Sequence, residues 1–324
     1  VAVIDTGITK HSDLGTRVLP GYDFVSNRAE LAAARQEGKD AVAFDGDYVD
    51  EEKYGPAGWD SNALDPGDWR EVAPIRNSSW HGTHVAGIAG GSGATTPHRG
   101  VAYEAQFLFV TFLVDEGAVL DAWQWMYQKA LVADKRLVIN MSWGLYHFGT
   151  LDGTSILSQA ITAFSNLGVV FVNSGGNNGN VNFHLKKTFN NDQLKSRIEF
   201  YDYAANPNMW GQSIHAWGEA NQSFANGIIV TNNSNVTLAE SPFYSTASTS
   251  GYIDTFLVVN QDSIWYNISA DAAHPLNGKP QMRLRVKNTN TSLRIQLKSQ
   301  ANSGTVHYWN VTELSNDVGN WGMP

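Results

Sequence analysis

Three polar residues stand where a chain can present a side chain for chemistry. Asp5 closes the strand-like apolar run 1–4, and Asn177 follows the apolar run 169–172 through a loop of Gly and Asn. His81 opens a stretch of small residues, which favours a helix packed closely against its neighbours. An acid at a strand end also suits an ordinary turn. A side-chain amide held at such an end, however, can donate to a developing oxyanion.

A histidine pair and a Ser-x-Gly segment add two further candidates. His81 and His84 are three residues apart, which also suits a metal. No acidic ligand accompanies them, and a zinc-protease helix places Glu directly after its first His, so we expect no metal there. Ser142, Trp143 and Gly144 end another apolar run. A strand that ends in this way leaves backbone groups able to pair with an extended ligand.

The first part of the chain alternates continuous apolar runs with helix-like stretches. Residues 107–114 and 137–141 are apolar runs, whereas 155–166 has apolar residues at helical spacing. This alternation is typical of a parallel sheet covered by helices on both faces. Such sheets carry their chemistry at the carboxyl ends of the strands. We predict an α/β domain of this kind over residues 1–185.

From about residue 195 the apolar residues alternate with polar ones. Met282, Leu284 and Val286 are separated by arginines, and some eight short segments of this type lie between turns rich in Asn and Thr. A period of two with regular turns predicts antiparallel strands. This number of strands indicates a β-sandwich of the jelly-roll kind. We assign it to residues 190–324.

The motifs occur in an order that resembles the subtilase family, the subtilisin-like serine proteases. An Asp after a buried strand is followed by His-Gly-Thr-His-Val-Ala-Gly at 81–87, Asn-Met-Ser-x-Gly at 140–144 and Gly-Asn at 176–177. The resemblance covers residues 1–15 and 80–182. It implies a subtilisin-like parallel sheet and an Asp-His-Ser catalytic triad.

The resemblance also implies a role for each matching residue. His81 is expected to be the general base, and Asp5 to orient it and stabilise its charged form. Asn177 is expected to donate its side-chain amide to the oxyanion. His84 is expected to be a packing residue. One wall of the substrate cleft is expected to consist of Ser142, Trp143 and Gly144.

The family's nucleophile is missing from the pattern. It lies in Gly-Thr-Ser-Met-Ala-x-Pro at the start of a buried helix, downstream of the oxyanion Asn, and no such segment follows Asn177. Residues 153–155 read Gly-Thr-Ser, but they lie upstream, and Ile and Leu follow them. We interpret Thr154 or Ser155 as the cap of the helix that follows.

Three explanations account for the absent serine. The chain is a fragment of a longer protein, or a companion piece supplies the serine, or the protein is a pseudoprotease that binds or regulates. We favour the first two because the chain starts abruptly on a strand at Val1 and lacks the family's last core strand and helix. Spore-germination subtilases carry a jelly-roll insertion before the serine, and the β-rich half resembles it in layout. The serine is then expected beyond Pro324.

The composition excludes several classes of function. The 31 acidic and 22 basic residues give a net charge of −9 and no basic footprint for nucleic acid. The absence of cysteine excludes disulfides and a thiol nucleophile. No apolar run reaches the roughly 18–20 residues of a membrane span. Although no signal peptide is visible, we expect a secreted or extracytoplasmic serine endopeptidase that acts on peptides or proteins and needs no catalytic cofactor.

Two patterns have an ordinary and a functional interpretation. Asp45, Asp47 and Asp50 place oxygen ligands in one loop, but the spacing to a bidentate Glu of an EF-hand is missing. We interpret them as a solvated acidic loop, with a structural calcium site as the alternative. Aromatic residues of the β-rich half can pack in a core or, when exposed, can stack on sugars. We expect a core role for Trp210, Trp217 and Trp265.

Overall fold

The computed structural model separates the chain into two compact units. The α/β unit consists of Val1–Gly144 and Ile156–Gly175, and the β unit consists of Leu145–Ser155 and Gly176–Pro324. The sequence-based boundary at 185–190 begins ten residues beyond Gly175, and Leu145–Ser155, which the prediction assigns to the α/β domain, belong to the β unit. The structure describes residues 1–5, 13–14, 22–23, 79–94, 97–111, 116–144, 149–200, 211–287, 292–312 and 320–322.

The α/β unit is built on a parallel sheet. Five strands of the described ranges lie in the order β2-β3-β1-β4-β5, and every pair runs parallel. The elements in chain order are β1 (Ala2–Asp5), β2 (Tyr22–Asp23), α1 (Ser79–Gly90), β3 (Leu108–Thr111), α2 (Glu116–Val132), β4 (Val138–Met141), α3 (Ile156–Asn166) and β5 (Val170–Asn173).

Helices cover both faces of the central strand β1. Val3 packs on one face in a cluster with Ala86 of α1. Ala2 and Ile4 point to the other face, in a cluster with Trp123 of α2, against which α3 also packs. Because both faces are buried, all four residues of β1 are buried. This burial explains why the strand reads as a continuous apolar run.

Helix α1 approaches the chain closely at its last residue. A Cβ added at Gly90 would lie 2.6 Å from the Phe107 ring and 2.7 Å from the Ala102 carbonyl oxygen. The same addition at Gly87, one turn earlier, meets nothing within 4 Å. The small residues of this motif therefore have unequal packing roles.

Gly90→Ala is expected to lower the free energy of unfolding by about 1–3 kcal/mol, because the added methyl overpacks the contact with Phe107. Gly87→Ala, its matched control, is expected to raise it by about 0.5–1 kcal/mol through helix propensity. Urea denaturation of the two variants measures the difference. Equal effects would show that the close approach at Gly90 has no energetic weight.

The β unit is one large antiparallel sheet. Its ten strands in the described ranges follow the path β10-β8-β14-β7-β13-β12-β11, with β6, β9 and β15 paired beside it. They are β6 (His184–Ile198), β7 (Gly211–Trp217), β8 (Ala225–Asn232), β9 (Thr237–Glu240), β10 (Tyr244–Ser245), β11 (Tyr252–Val259), β12 (Asp262–Asp271), β13 (Gln281–Lys287), β14 (Leu293–Thr312) and β15 (Trp321–Gly322).

Strand β14 organises this sheet. Its first part pairs with β8 from Leu293 to Gln300, its last part pairs with β7 from His307 to Thr312, and β6 runs beside it for most of its length. The alternating residues of the neighbouring strands point into one apolar core. The period of two predicted for β13 is observed, since Met282, Leu284 and Val286 are fully buried.

No helix among the residues that the structure describes is both long enough and apolar enough to cross a bilayer.

Candidate active site

The fold brings Asp5 and His81 together. Asp5 is the last residue of β1, so it stands at the carboxyl edge of the parallel sheet, where such sheets place their chemistry. His81 lies in the first turn of α1, which packs against β1 through Ala86. Two elements far apart in sequence thereby deliver an acid and an imidazole to one place.

The Asp5 carboxylate holds the His81 ring by one nitrogen. Nδ1 of His81 lies 2.8 Å from Oδ1 and 3.0 Å from Oδ2 of Asp5. An ionised carboxylate only accepts hydrogen bonds, so Nδ1 carries the proton and donates it. In the neutral ring Nε2 is then the basic nitrogen. The arrangement selects the tautomer that a general base requires.

Burial differs sharply between the two partners. The Asp5 side chain is 2% exposed, whereas 45% of the His81 side chain is exposed. A buried carboxylate is costly unless it is hydrogen-bonded, and the His81 ring supplies that hydrogen bond. The buried acid is thus held by a ring that is itself half-exposed.

The segment 142–144 leaves the same sheet edge. It follows β4, and Met141 of β4 is paired with Ile4, the residue before Asp5. The Asn140 side-chain amide donates to Ser142 Oγ at 2.9 Å, and Ser174 Oγ donates to the Trp143 carbonyl at 3.4 Å. These contacts fix the path of the segment that the sequence predicts as a substrate wall.

Two of these supporting residues were missed by the sequence analysis. Asn140 is separated from Ser142 by one residue, and alternate residues of a strand share a face, so the pattern could have suggested their contact. Ser174 follows β5, the strand next to β4, and its N–H donates to the Met141 carbonyl at 3.1 Å. That contact depends on strand order, which spacing in the sequence does not reveal.

Asn177 lies outside the α/β unit. The loop after β5 passes into the β unit at Gly176, and Asn177 is an exposed residue at a bend of that loop. The structure thus joins Asp5 to His81 and places 142–144 at their sheet edge. Asn177 belongs to the β unit, whereas Asp5, His81 and residues 142–144 belong to the α/β unit.

The remaining sequence-based candidates have mixed outcomes. Asp45, Asp47 and Asp50 lie outside the described residues, and within the described ranges no three His, Asp or Glu side chains are arranged to hold a metal. The expectation that His84 packs inside is wrong, because His84 is exposed on the outer side of α1.

The tryptophans of the β-rich half also differ from one another. Trp217 is 6% exposed, as expected for a core residue, whereas Trp265 is 40% exposed, which corrects the core role expected for it. Trp210 lies outside the described residues.

Ser155 stands immediately before Ile156, the first residue of α3, which is the position of a helix cap.

Bacterial extracellular proteases are among the proteins to which this chain is similar. An extracellular protease of Xanthomonas campestris pv. campestris is 36% identical over 193 residues, and an extracellular basic protease of Dichelobacter nodosus is 34% identical over 188 residues. Each match includes 55% of this chain but only 29% and 28% of the relative, so the chain spans under a third of these proteins.

A solved structure shares the fold. The CspB protease of Clostridium perfringens superposes with a TM-score of 0.67 at 19% identity, covering all of this chain and 63% of that one. The family model described as the subtilase family matches residues 1–309. The sequence-based resemblance is confirmed, and this chain belongs to the subtilase family.

Proposed function

We propose that the intact protein is a serine endopeptidase that hydrolyses peptide bonds through an acyl-enzyme. The observation that carries this proposal is the buried Asp5 carboxylate hydrogen-bonded to Nδ1 of the half-exposed His81. His81 takes the proton of the attacking serine through Nε2 and returns it to the leaving amine. Asp5 holds the ring in the correct tautomer and stabilises its charged form.

The substrate lies along the segment 142–144 as an added strand. Its carbonyl and N–H groups pair with backbone groups of this segment, a mode of peptide recognition that needs no particular side chain. Peptides or proteins are the substrates. Asn177 donates its side-chain amide to the oxyanion that forms on the scissile carbonyl.

The nucleophilic serine comes from a segment outside residues 1–324, either of the same protein or of a companion fragment. The outer strand β5 supports this assignment. It is the last strand of the parallel sheet in the described ranges, and one of its faces is uncovered, because Val170 and Val172 are 53% and 48% exposed. Apolar strand residues left open in this way suit a further sheet or helix element.

The β unit is a jelly-roll-like insertion, and the protein acts outside the cytoplasm. The antiparallel sheet follows Asn177 directly, where the family's serine segment is expected. The relatives from Xanthomonas campestris and Dichelobacter nodosus are named extracellular proteases, and we extend that location to this protein. Catalysis uses side chains alone, and a structural calcium ion remains a proposal for the loop of Asp45, Asp47 and Asp50.

Asn177→Ala in the intact protease is expected to lower kcat by about 10²–10³-fold with little change in KM, because the amide acts only on the developing oxyanion. Asn180→Ala, an exposed turn residue of the same loop, serves as the control and is expected to keep full activity. Initial rates on a chromogenic peptide measure both variants. A loss confined to KM would contradict the oxyanion role.

The second candidate is a pseudoprotease that binds peptides without cleaving them. We do not assign the nucleophile to the segment Gly-Thr-Ser at 153–155, because Ser155 stands at the position of a helix cap before Ile156 and the segment lies before Asn177. A pseudoprotease binds an extended peptide but shows no turnover with any substrate. Measuring turnover by the intact protein therefore distinguishes the protease from the pseudoprotease.

A further inference from the structure

One face of the β11–β12 hairpin exposes aromatic side chains to solvent. Tyr252, Phe256 and Trp265 are 60%, 45% and 40% exposed. Phe256 and Trp265 are directly opposite each other on the two strands, with ring centroids 4.7 Å apart and planes inclined by 46°. Large aromatic rings are usually buried, so exposed rings on neighbouring strands indicate a binding surface.

Two arginines lie beside these rings on the same face. Arg283 and Arg285 of β13 are paired with Ser269 and Asn267 of β12. Asn267 is two residues from Trp265, so Trp265 and Arg285 are diagonal neighbours on one face, with Cα atoms about 7–8 Å apart. The side chains of Tyr252 and Arg285 are hydrogen-bonded. Rings and guanidinium groups thus form one continuous strip.

The charges of this strip favour an anion. Burial lowers the pKa of both Arg283 and Arg285, and the charge of Arg283 lowers that of Arg285 further. Asp254, on β11, partly offsets the effect on Arg285. The other charged residues that alternate onto this face lie at strand ends, and they are Lys287 and Asp271. A bound carboxylate would stabilise two neighbouring cations that burial and mutual repulsion disfavour.

We propose that this aromatic–arginine strip, formed by Tyr252, Phe256, Trp265, Arg283 and Arg285, binds an acidic polysaccharide built from uronic-acid units. Sugar rings stack on the exposed faces of Trp265 and Phe256. Their carboxylates pair with the guanidinium groups one diagonal away. A polymer whose repeating unit carries both a flat apolar face and an anionic group matches the alternation of aromatic rings and guanidinium groups along the strip.

Charge complementarity decides between this ligand and other polymers. Nucleic acids require an extended basic surface for their phosphates, whereas this strip offers the two neighbouring guanidinium groups of Arg283 and Arg285. Neutral polysaccharides offer these arginines no carboxylate. An acidic peptide offers carboxylates but no regular series of rings. The strip lies within the β unit and uses no catalytic residue, so it is independent of the protease assignment.

Affinity electrophoresis of the 324-residue chain through gels containing polygalacturonate tests the proposal. The chain is expected to be retarded, and fully methyl-esterified pectin is expected to retard it about tenfold less, because esterification removes the carboxylates that the arginines bind. Raising the salt concentration is expected to weaken retardation. No retardation by polygalacturonate, or equal retardation by both polymers, would overturn the proposal.

Variants identify the surface. Trp265→Ala and Arg285→Gln are each expected to weaken binding by about tenfold or more. The matched controls are Tyr103→Ala and Arg99→Gln, because these residues form an exposed aromatic–arginine pair in the α/β unit, with the guanidinium 4.9 Å from the ring centroid. The controls are expected to bind normally, and a loss equal to that of the strip variants would contradict the assignment.

Two further measurements separate folding and ligand class. Arg285→Lys keeps the positive charge and is expected to retain part of the binding. If Arg285→Gln also changes thermal unfolding, this variant distinguishes the loss of a ligand contact from misfolding of the sheet. Poly-glutamate is expected to bind weakly and without sensitivity to Trp265→Ala. Tight binding of poly-glutamate that depends on Trp265 would assign the strip to acidic peptides and overturn the polysaccharide proposal.

Discussion

Replacing His81 by alanine is expected to lower kcat of the intact protease by about a millionfold, the size of the loss known for subtilisin itself. The structure supplies the reason. His81 is the residue whose ring is both held by a buried acid and 45% exposed. Without it the serine hydroxyl has no base to take its proton. A loss of this size corresponds to about 8 kcal/mol of transition-state stabilisation.

The same helix offers a matched control. His84 lies three residues further along α1 and is exposed, with no place in the proposed machinery. His84→Ala is therefore expected to keep kcat within about twofold, since surface substitutions away from special features have small effects. Initial rates on one chromogenic peptide compare the two variants. Comparable losses in both would remove the basis for assigning the proton transfer to His81.

Replacing Asp5 by asparagine is expected to lower kcat by about 10⁴-fold without unfolding the protein, which corresponds to about 5 kcal/mol. The Asp5 carboxylate accepts the Nδ1 proton of His81 at 2.8 Å. An asparagine amide in the same position can donate to Nδ1 instead. The ring then carries its proton on Nε2, the nitrogen that must accept the serine proton, and the base is lost although the geometry is kept.

Two measurements accompany the Asp5→Asn variant. Binding of a peptide inhibitor is expected to be unchanged, because Asp5 is buried, with 4% of the residue exposed. Histidine NMR in the variant is expected to show the proton on Nε2 of His81. An unchanged tautomer together with full activity would contradict the orienting role of Asp5.

Sequence reasoning succeeded where burial leaves a simple pattern. Strand β1 is covered on both faces, so its apolar run and its terminal acid could be recognised directly. Helix α3 packs on one side only, through Leu157, Ala160, Ile161 and Phe164, which is the helical spacing predicted for 155–166. The subtilase motifs added the partners of Asp5, which no local pattern could supply.

Other features depend on contacts that local sequence does not encode. The alternating pattern predicts only short strands in this part of the chain, but Leu293–Thr312 form the single 20-residue strand β14. Continuous backbone pairing with β6 holds β14 together, and Gly304 with its positive φ of 91° lies inside it without ending it. Backbone hydrogen bonds between strands form whatever the polarity of the side chains. A polar strand such as β6 therefore shows little of the hydrophobic alternation by which strands are recognised in a sequence.

Strand β7 shows the same limit in its burial. All seven residues from Gly211 to Trp217 are buried. Its polar face, which includes Ser213 and His215, is as inaccessible as its apolar face. A period of two identifies the apolar face of a strand but does not reveal whether its polar face is covered. For this reason Trp217 and Trp265 could not be distinguished from sequence, although one is buried and the other exposed.

The central claim is that Asp5 and His81 serve a nucleophilic serine, and labelling with a serine-directed fluorophosphonate tests it most directly. The probe is applied to the native protein from its natural source, and the modified peptide is identified by mass spectrometry. We expect one labelled serine, outside residues 1–324, and loss of the label in His81→Ala. A folded, full-length native protein that takes up no probe would contradict the account and identify a pseudoprotease.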